Sequence, residues 1–169
     1  ILKIEAASTI VGKKLVLQTS VHHRIDRKEP ISKAGVGLLA IGASTGGPRA
    51  LYEIIGDLPK YFSVPIVISQ HMPKGFTSAF AETLNKRATL SVKEVQGPER
   101  LESGHVYIAP GGSHLLFEKR VDGVYTCLIT ASEENIYVPS IDKMLCSATD
   151  IFGSNMLGIL LTGMGHDGQ

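Results

Sequence analysis

The sequence has little of what marks a secreted or membrane-spanning protein. Its two cysteines, Cys127 and Cys146, lie far apart and match no disulfide or metal-binding spacing. No apolar run approaches the ~18 residues that a spanning helix requires, and the longest, at 156–161, is interrupted by Gly158. The N-terminal stretch mixes charges into its apolar positions, unlike a secretory signal. We therefore expect a cytoplasmic protein without membrane insertion.

Net charge is also nearly absent, at +1, but it is unevenly distributed. Residues 1–34 carry a charge of +4 and the remainder carries −3. A basic stretch of this kind can bind nucleic acid or an acidic partner, but here the basic residues do not alternate with aromatic ones. We interpret residues 1–34 as a basic linker or N-terminal arm, expect no nucleic-acid binding, and place one globular domain at residues 35–169.

Apolar runs alternate with helical segments at both ends of this domain, a pattern typical of a parallel α/β sheet. Each predicted strand ends in a glycine-rich or polar loop. The predicted strands and helices are Val36–Ile41, a helix from Pro48 to about Leu58, Pro65–Ser69, Thr77–Arg87, Ser140–Phe152 and Leu157–Leu161.

The middle of the domain has a different pattern, with short β-rich runs divided by glycine-containing turns. This pattern predicts antiparallel hairpins, and Asp122-Gly123 is a strong two-residue turn signal. The four runs are Val92–Val95, Val106–Ala109, Leu115–Lys119 and Tyr125–Thr130.

Three of the predicted strands are followed by loops that carry Ser44, His71 and Asp167. Parallel strands bring their C-terminal ends to one edge of the sheet, where open α/β sheets bind ligands. We therefore expect these three side chains to lie close together, provided that all three strands run parallel.

The loop Gly42–Gly47 is compatible with more than one function. It lacks the central glycine of a dinucleotide fingerprint, and Pro48 occupies the position of the lysine in a Walker loop. It does fit G-x-S-x-G, a strand-to-helix turn that exposes Ser44. An anion-binding loop before a helix would have the same pattern, so both hypotheses stay open.

A serine nucleophile requires a histidine base, which in turn requires an orienting acid. His71 is favoured because it directly follows a strand one βα unit after Ser44, whereas His166 is better suited to a supporting or surface position. Asp167 is either the acid or a carboxylate that stabilises its own turn. The six histidines show no metal-binding spacing, so we expect no metal and no other cofactor.

Taken together, these loops resemble the catalytic domain of chemotaxis protein-glutamate methylesterases, the CheB type. The resemblance covers residues 37–168 and consists of five motifs in the order found in the family. The motifs are Gly42–Gly47, Gln70–Pro73 with Gly75–Thr77, Tyr107–Gly111 with His114, Pro139–Asp142, and Leu161–Gly168.

The resemblance implies a three-layer, doubly wound, mainly parallel α/β domain with an antiparallel hairpin segment. Its implied activity is the hydrolysis of glutamate methyl esters on the cytoplasmic helices of chemoreceptors, releasing methanol, with possible deamidation of receptor glutamines. Ser44 corresponds to the nucleophile, His71 to the general base and Asp167 to the orienting acid. Thr45 lies beside the nucleophile, and Met164 matches a residue whose backbone N–H helps to stabilise the oxyanion.

The sequence departs from the family pattern in several places. No regulatory phospho-receiver domain precedes the linker, and the chain ends at Gln169, where the family continues with a helix and a strand. We therefore expect a truncated domain in which Asp167 is poorly supported. Tyr137-Val138 occupies a position where a polar or arginine-bearing segment is expected, which puts substrate contacts from this loop in doubt. His166 stands where the family often has Asn.

Two other hypotheses belong to different functional classes. One is a non-catalytic module that binds an anion or nucleotide at residues 42–47. The other is a receptor-docking scaffold that retains the fold but not the activity.

Overall fold

The computed structural model describes residues 35–168, so the predicted linker at residues 1–34 lies outside the described residues. Five parallel strands form the main sheet, in the order β3-β4-β2-β1-β7. The elements are β1 (Leu38–Ala43), α1 (Gly47–Gly56), β2 (Ile66–Gln70), α2 (Phe76–Arg87), β3 (Ser91–Glu94), β4 (His105–Ile108), β5 (Ser113–Arg120), β6 (Gly123–Thr130), α3 (Ile141–Phe152) and β7 (Met156–Leu160).

The central strand β1 is buried on both faces of the sheet. Leu39 and Ile41 pack with α1 and α2 on one face, whereas Leu38 and Ala40 pack with α3 and β5 on the other. Fully burying a leucine or isoleucine side chain contributes about 1.5–3 kcal/mol, so this alternation holds β1 firmly between two layers. The predicted three-layer, doubly wound architecture is confirmed.

The prediction of hairpins is wrong for the first two runs of the middle region. β3 pairs parallel with β4, and β4 pairs parallel with β2. The chain between β3 and β4 leaves the main sheet and pairs with β6: Leu101 donates to the Val124 carbonyl at 2.8 Å, and Thr126 donates to the Glu99 carbonyl at 2.8 Å. This excursion lets the chain return to the sheet in the same direction without an intervening helix.

The prediction of a hairpin is confirmed for β5 and β6, which form a separate two-stranded antiparallel sheet. The turn lies one residue earlier than the turn signal indicated. Arg120 pairs with Gly123, so the two residues between the strands are Val121 and Asp122.

The predicted amphipathic helix before the last strand is confirmed as α3. Its N-cap is Ser140, whose hydroxyl accepts a hydrogen bond from the backbone N–H of Lys143. Ile141 and Ala148 are buried on the face directed at the sheet. Gly153, at a φ of +51°, ends the helix as predicted. The position of α3 matters because its N-terminus lies at the C-terminal edge of the sheet.

Candidate active site

Ser44 lies in the short loop between β1 and α1, at the C-terminal edge of the sheet. Its backbone N–H donates to the carbonyl of Thr162, just beyond β7, at 3.0 Å. His71 immediately follows β2, and its backbone N–H donates to the Ala43 carbonyl at 2.9 Å. Since β2 and β7 both run parallel to β1, the ends of the three strands converge as expected.

The side chains of Ser44, His71 and Asp167 form one continuous hydrogen-bonded series. Nδ1 of His71 lies 3.1 Å from Oγ of Ser44, and Nε2 of His71 lies 2.7 Å from Oδ2 of Asp167. A carboxylate accepts hydrogen bonds and a hydroxyl can donate one, so the imidazole carries its proton on Nε2 and accepts at Nδ1. This tautomer leaves a basic nitrogen facing the serine hydroxyl.

The imidazole of His71 is turned the opposite way from that of the serine proteases. In those enzymes Nε2 faces the serine and Nδ1 faces the aspartate. Here Nδ1 faces Ser44 and Nε2 faces Asp167. The roles of base and orienting acid require only that the two nitrogens bridge the two groups, so either orientation supports the same chemistry.

The N-terminus of α3 surrounds the carboxylate of Asp167. Oδ1 accepts from the Ser140 hydroxyl at 2.9 Å and from the Asp142 backbone N–H at 2.9 Å, and Oδ2 accepts from the Ile141 backbone N–H at 2.6 Å. The side chain is only 3% exposed. The expectation of a poorly supported Asp167 is therefore wrong for its side chain, because α3 supplies the support. These bonds also run to α3 rather than within the aspartate's own turn.

Asp167 is held in its ionised form. Burial of the carboxyl group disfavours the charged state, but the backbone N–H groups of Asp142 and Ile141 stabilise it more strongly together with the His71 imidazole and the Ser140 hydroxyl. As a result, the pKa of Asp167 lies below the usual carboxyl range. The positive end of the α3 dipole acts in the same direction.

Asp142 binds the loop of Asp167 from a second side. Its carboxylate Oδ1 accepts from the backbone N–H of Gly168 at 2.8 Å, while its own N–H donates to Asp167. Sequence reasoning assigned no role to Ser140 or Asp142. The signal was present in Pro139–Asp142, where a serine N-cap opens a helix, but the pattern did not indicate which carboxylate the helix would hold.

Gln70, the last residue of β2, joins the backbones of the serine and the histidine. Its Nε2 donates to the Ser44 carbonyl at 2.9 Å and to the His71 carbonyl at 3.1 Å. Both partners are acceptors only, which fixes the orientation of the amide. Gln70 is 1% exposed, so these two bonds are made away from water. Sequence reasoning included Gln70 in a motif but gave it no function.

Two loops meet beside Ser44. Thr45 is exposed next to the serine, and Met164, whose side chain is also exposed, lies in the loop after β7. Gly163 brings this second loop into contact with the serine: a Cβ at Gly163 would lie 2.7 Å from the Cβ of Ser44. Thr45 and Met164 are therefore both on the segments that border Ser44.

Tyr137, the departure from the family pattern, stacks on the imidazole of His71. The two ring centroids are 4.9 Å apart and the ring planes differ by 13°. The sequence indicated only an unusual residue in a loop. No local signal could have placed its ring on His71, because the two residues are brought together by the tertiary fold.

His114 is a buried residue that links the Tyr137 segment to α3. Its Nδ1 accepts from the backbone N–H of Ser140 at 3.1 Å, so its proton is on Nε2, which lies 2.9 Å from Oδ1 of Asn135. The Lys143 ammonium lies 3.1 Å from Nε2 but cannot donate to it, because Nε2 carries the proton. His114 is 1% exposed. His166, in contrast, lies at the surface beside Asp167.

Among residues 35–168, no group of three or more His, Cys, Asp or Glu side chains is arranged to hold a metal ion. None of the helices in the same range combines the length and the apolar character that crossing a bilayer requires.

The sequence profile of the family described as CheB methylesterase matches residues 39–169. This chain belongs to the CheB methylesterase family. The match includes all three residues of the hydrogen-bonded series.

Individual relatives agree with this assignment. A Geobacter sulfurreducens protein named protein-glutamate methylesterase/protein-glutamine glutaminase 3 is 43% identical over 146 residues, covering 86% of this chain and 39% of the relative. A Saccharophagus degradans protein, protein-glutamate methylesterase/protein-glutamine glutaminase 1, is 46% identical over 136 residues, which cover 80% of this chain and 37% of the relative. This chain thus spans less than half the length of these two relatives.

The fold also matches a solved member of the family. The crystal structure of the Thermotoga maritima CheB methylesterase catalytic domain aligns with a TM-score of 0.75 at 43% identity, covering 79% of this chain and 70% of that one. The parallel sheet, the helices on both faces and the separate hairpin are therefore those of a CheB-type catalytic domain.

Proposed function

We propose that this chain carries the catalytic site of a protein-glutamate methylesterase, in which Ser44 is the nucleophile, His71 the general base and Asp167 the orienting acid. The proposal rests on the hydrogen-bonded series from Oγ of Ser44 through His71 to Asp167. A serine hydroxyl becomes a useful nucleophile only when a positioned base takes its proton. Family membership and the names of the relatives select a glutamate methyl ester as the substrate.

In the proposed reaction, each proton moves along the hydrogen-bonded series. Oγ of Ser44 bonds to the ester carbonyl carbon while its proton passes to Nδ1 of His71. Collapse of the tetrahedral intermediate breaks the bond to the methoxy oxygen, which takes that proton and leaves as methanol. Water then attacks the acyl-enzyme with the same proton relay, restoring Ser44 and releasing glutamate. Asp167 stays ionised and stabilises the imidazolium through Nε2.

Deamidation of glutamine follows from the same site. A glutamine side chain and a glutamate methyl ester share the same acyl group, so attack by Ser44 gives the same acyl-enzyme in both cases. Only the leaving group differs, and the proton on Nδ1 of His71 is delivered to ammonia rather than to methanol. The double names of the relatives agree with this equivalence.

We assign the binding site of the oxyanion to the two loops that border Ser44. We include the backbone N–H groups of Thr45 and Met164 as its donors, since Gly163 packs the Met164 loop directly against Ser44. Loss of one such donor typically costs about 3–4 kcal/mol of transition-state stabilisation.

The biological setting is part of the same proposal. The substrates are methylated chemoreceptors in the cytoplasm, and residues 35–169 are the catalytic domain. The regulatory phospho-receiver domain implied by the family resemblance stays a prediction, as does the role of the basic stretch at residues 1–34.

The structure favours hydrolysis over anion binding at residues 42–47. An anion site before a helix needs free backbone N–H groups. Here the N–H of Ser44 donates to the Thr162 carbonyl at 3.0 Å, and the N–H of Gly47 donates to the Ser44 carbonyl at 2.9 Å. These two donors are used within the protein, whereas the N–H of Thr45 is the one assigned to the oxyanion. The base and the acid aligned with Ser44 support hydrolysis, because an anion-binding loop requires neither.

Methanol release from methylated receptor tests the proposal. In the full-length protein, Ser44→Ala should abolish nearly all release, and Ser78→Ala should leave it unchanged because Ser78 is an exposed serine on α2. Turnover by the Ser44 variant equal to that of the wild type would reject Ser44 as the nucleophile. Receptor binding without turnover by the wild type would instead favour the scaffold hypothesis.

A further inference from the structure

Tyr137 contacts a face of the His71 imidazole, which the hydrogen bonds at the ring edge leave unconstrained. The bonds to Ser44 and Asp167 both lie at the edge of the His71 imidazole. They fix two atoms of the ring but exert little restraint against tilting about the line that joins those atoms. A ring stacked on its face, with centroids 4.9 Å apart and planes within 13°, restrains that tilt.

We propose that Tyr137 is a positioning residue for catalysis, whose ring holds the His71 imidazole in the plane that joins Ser44 to Asp167. This inference rests on the proposed function. A half-turn of the imidazole about its Cβ–Cγ bond replaces both bridging nitrogens with carbon atoms, which breaks the series at both ends. The turn also sweeps the ring through the space that Tyr137 occupies.

The hydroxyl end of Tyr137 packs against the loop that carries the acid. A Cβ at Gly165 would overlap Oη of Tyr137, so the hydroxyl packs directly on the Gly165 backbone, which has a φ of +105°. Gly165 follows Met164 and lies two residues before Asp167. One side chain therefore contacts both the base and the loop that supplies the acid.

The segment that presents Tyr137 is held at both ends by His114. One ring nitrogen of His114 accepts from the backbone N–H of Ser140, and the other donates to Oδ1 of Asn135. Asn135 is held in addition by the backbone N–H of Ser132 at 3.0 Å. Because His114 is buried, its two hydrogen bonds give the segment that carries Tyr137 a rigid support.

The stacked ring also favours the charged state of the base during the reaction. When Ser44 gives up its proton, His71 becomes an imidazolium, and an aromatic face attracts a cation placed over it. The His71 side chain is 15% exposed, so much of this attraction is protected from water. Together the two effects place the contribution of Tyr137 in the chemical step rather than in substrate binding.

Kinetics of the full-length protein separate these contributions. Tyr137→Ala should lower kcat for methanol release by about 10-fold with KM within about 2-fold, and Tyr137→Phe should stay within about 2-fold of wild-type kcat because the ring is retained. Tyr61→Ala is the control, since Tyr61 is 48% exposed in the loop before β2, at the end of that strand opposite His71. Wild-type kcat in Tyr137→Ala, an effect confined to KM, or equal losses in the Ala and Phe variants would each overturn the proposal.

A second measurement is independent of the receptor substrate. Phosphonylation of Ser44 by a fluorophosphonate requires only an activated serine, and Tyr137→Ala should slow it about as much as it slows kcat. If the protein is phosphonylated but releases no methanol, the proposed substrate is wrong while the role of Tyr137 is still decided by these rates. An equal phosphonylation rate in the wild type and the Ala variant would contradict that role.

NMR of the wild-type protein tests the stacking without turnover. The ring protons of His71 should be shifted upfield by the stacked tyrosine and show nuclear Overhauser contacts to the Tyr137 ring. Tyr137→Phe should retain this signature, and Tyr137→Leu, which keeps bulk but no aromatic face, should lose the shift. Absence of both the shift and the contacts in the wild type would refute the stacking on which the proposal depends.

Discussion

The hydroxyl of Ser140 donates a hydrogen bond to Oδ1 of Asp167 over 2.9 Å. Oγ of Ser140 also accepts a hydrogen bond from the backbone N–H of Lys143 at 3.3 Å, because Ser140 is the N-cap of α3. A single atom therefore caps the helix and holds the acid, which couples the stability of α3 to the orientation of Asp167.

Replacing this hydroxyl should affect both properties. We expect Ser140→Ala to lower the free energy of unfolding by about 1 kcal/mol through loss of the cap, and to lower kcat by about 3- to 10-fold through a looser Asp167. Chemical denaturation and methanol release measure the two effects. Ser147→Ala is a matched control, because Ser147 lies on the same helix and its hydroxyl accepts from the Phe117 N–H at 2.9 Å, away from the site. The interpretation fails if both variants have the same kcat.

Gln70 offers a test of the backbone beneath the nucleophile and the base. Gln70→Glu preserves shape but removes both N–H donors, leaving the carbonyls of Ser44 and His71 facing a buried carboxyl group that can donate at most one hydrogen bond. We expect unfolding to become easier by about 1–3 kcal/mol and kcat to fall at least about 10-fold. Gln96→Glu, at an exposed position, should change neither quantity. A Gln70 variant with wild-type kcat and stability would show that the two bonds do not position the site.

The ionised state of Asp167 makes a pH-dependent contribution to stability. Its pKa is lower in the folded protein than in the unfolded chain, so ionisation stabilises the fold above the unfolded pKa of about 3.9, and that stabilisation is lost as the pH falls through the lower folded value. Between about pH 5 and about pH 2.5, the stability difference between the wild type and Asp167→Asn should therefore shrink as acid is added. Urea denaturation of both proteins at several pH values measures this difference in the free energy of unfolding. A difference that grows with acidification would contradict a lowered pKa.

The contact between Gly163 and Ser44 leaves no room for a side chain. A Cβ at residue 163 would lie 2.7 Å from the Cβ of Ser44, whereas a Cβ at Gly97 would meet nothing within 4 Å. We expect Gly163→Ala to displace the Met164 loop and lower kcat by about 10- to 100-fold, with Gly97→Ala unchanged. Rates of methanol release and of fluorophosphonate labelling should fall together in the first variant. Full activity in Gly163→Ala would exclude tight packing of this loop as a requirement.

The sequence predicted the parts of the fold that depend on local periodicity and on the geometry of parallel strands. The apolar runs located the strands to within a few residues, and the rule that parallel strands end at one edge predicted that Ser44, His71 and Asp167 would be close. The hairpin prediction failed for β3 and β4 because their relative direction is decided by the segment that connects them, which pairs with the distant strand β6. No property of the runs themselves distinguishes a parallel neighbour from a hairpin partner.

The support around the site was harder to predict for a different reason. Ile141 and Asp142 contact the acid through backbone N–H groups, which nearly every residue has. Tyr137 and His114 act across contacts between elements that are remote in the sequence. Motifs list side chains in order, whereas these contacts depend on three-dimensional placement.

The use of backbone donors at Asp167 has an evolutionary consequence. Every amino acid except proline supplies an N–H group, so a substitution at 141 leaves its donor in place. Position 142 is constrained further, because the Asp142 carboxylate accepts from the N–H of Gly168. Selection on the charge of the acid therefore acts on the path of the main chain where α3 begins. Descendants that differ in the side chain at 141 still keep this electrostatic support.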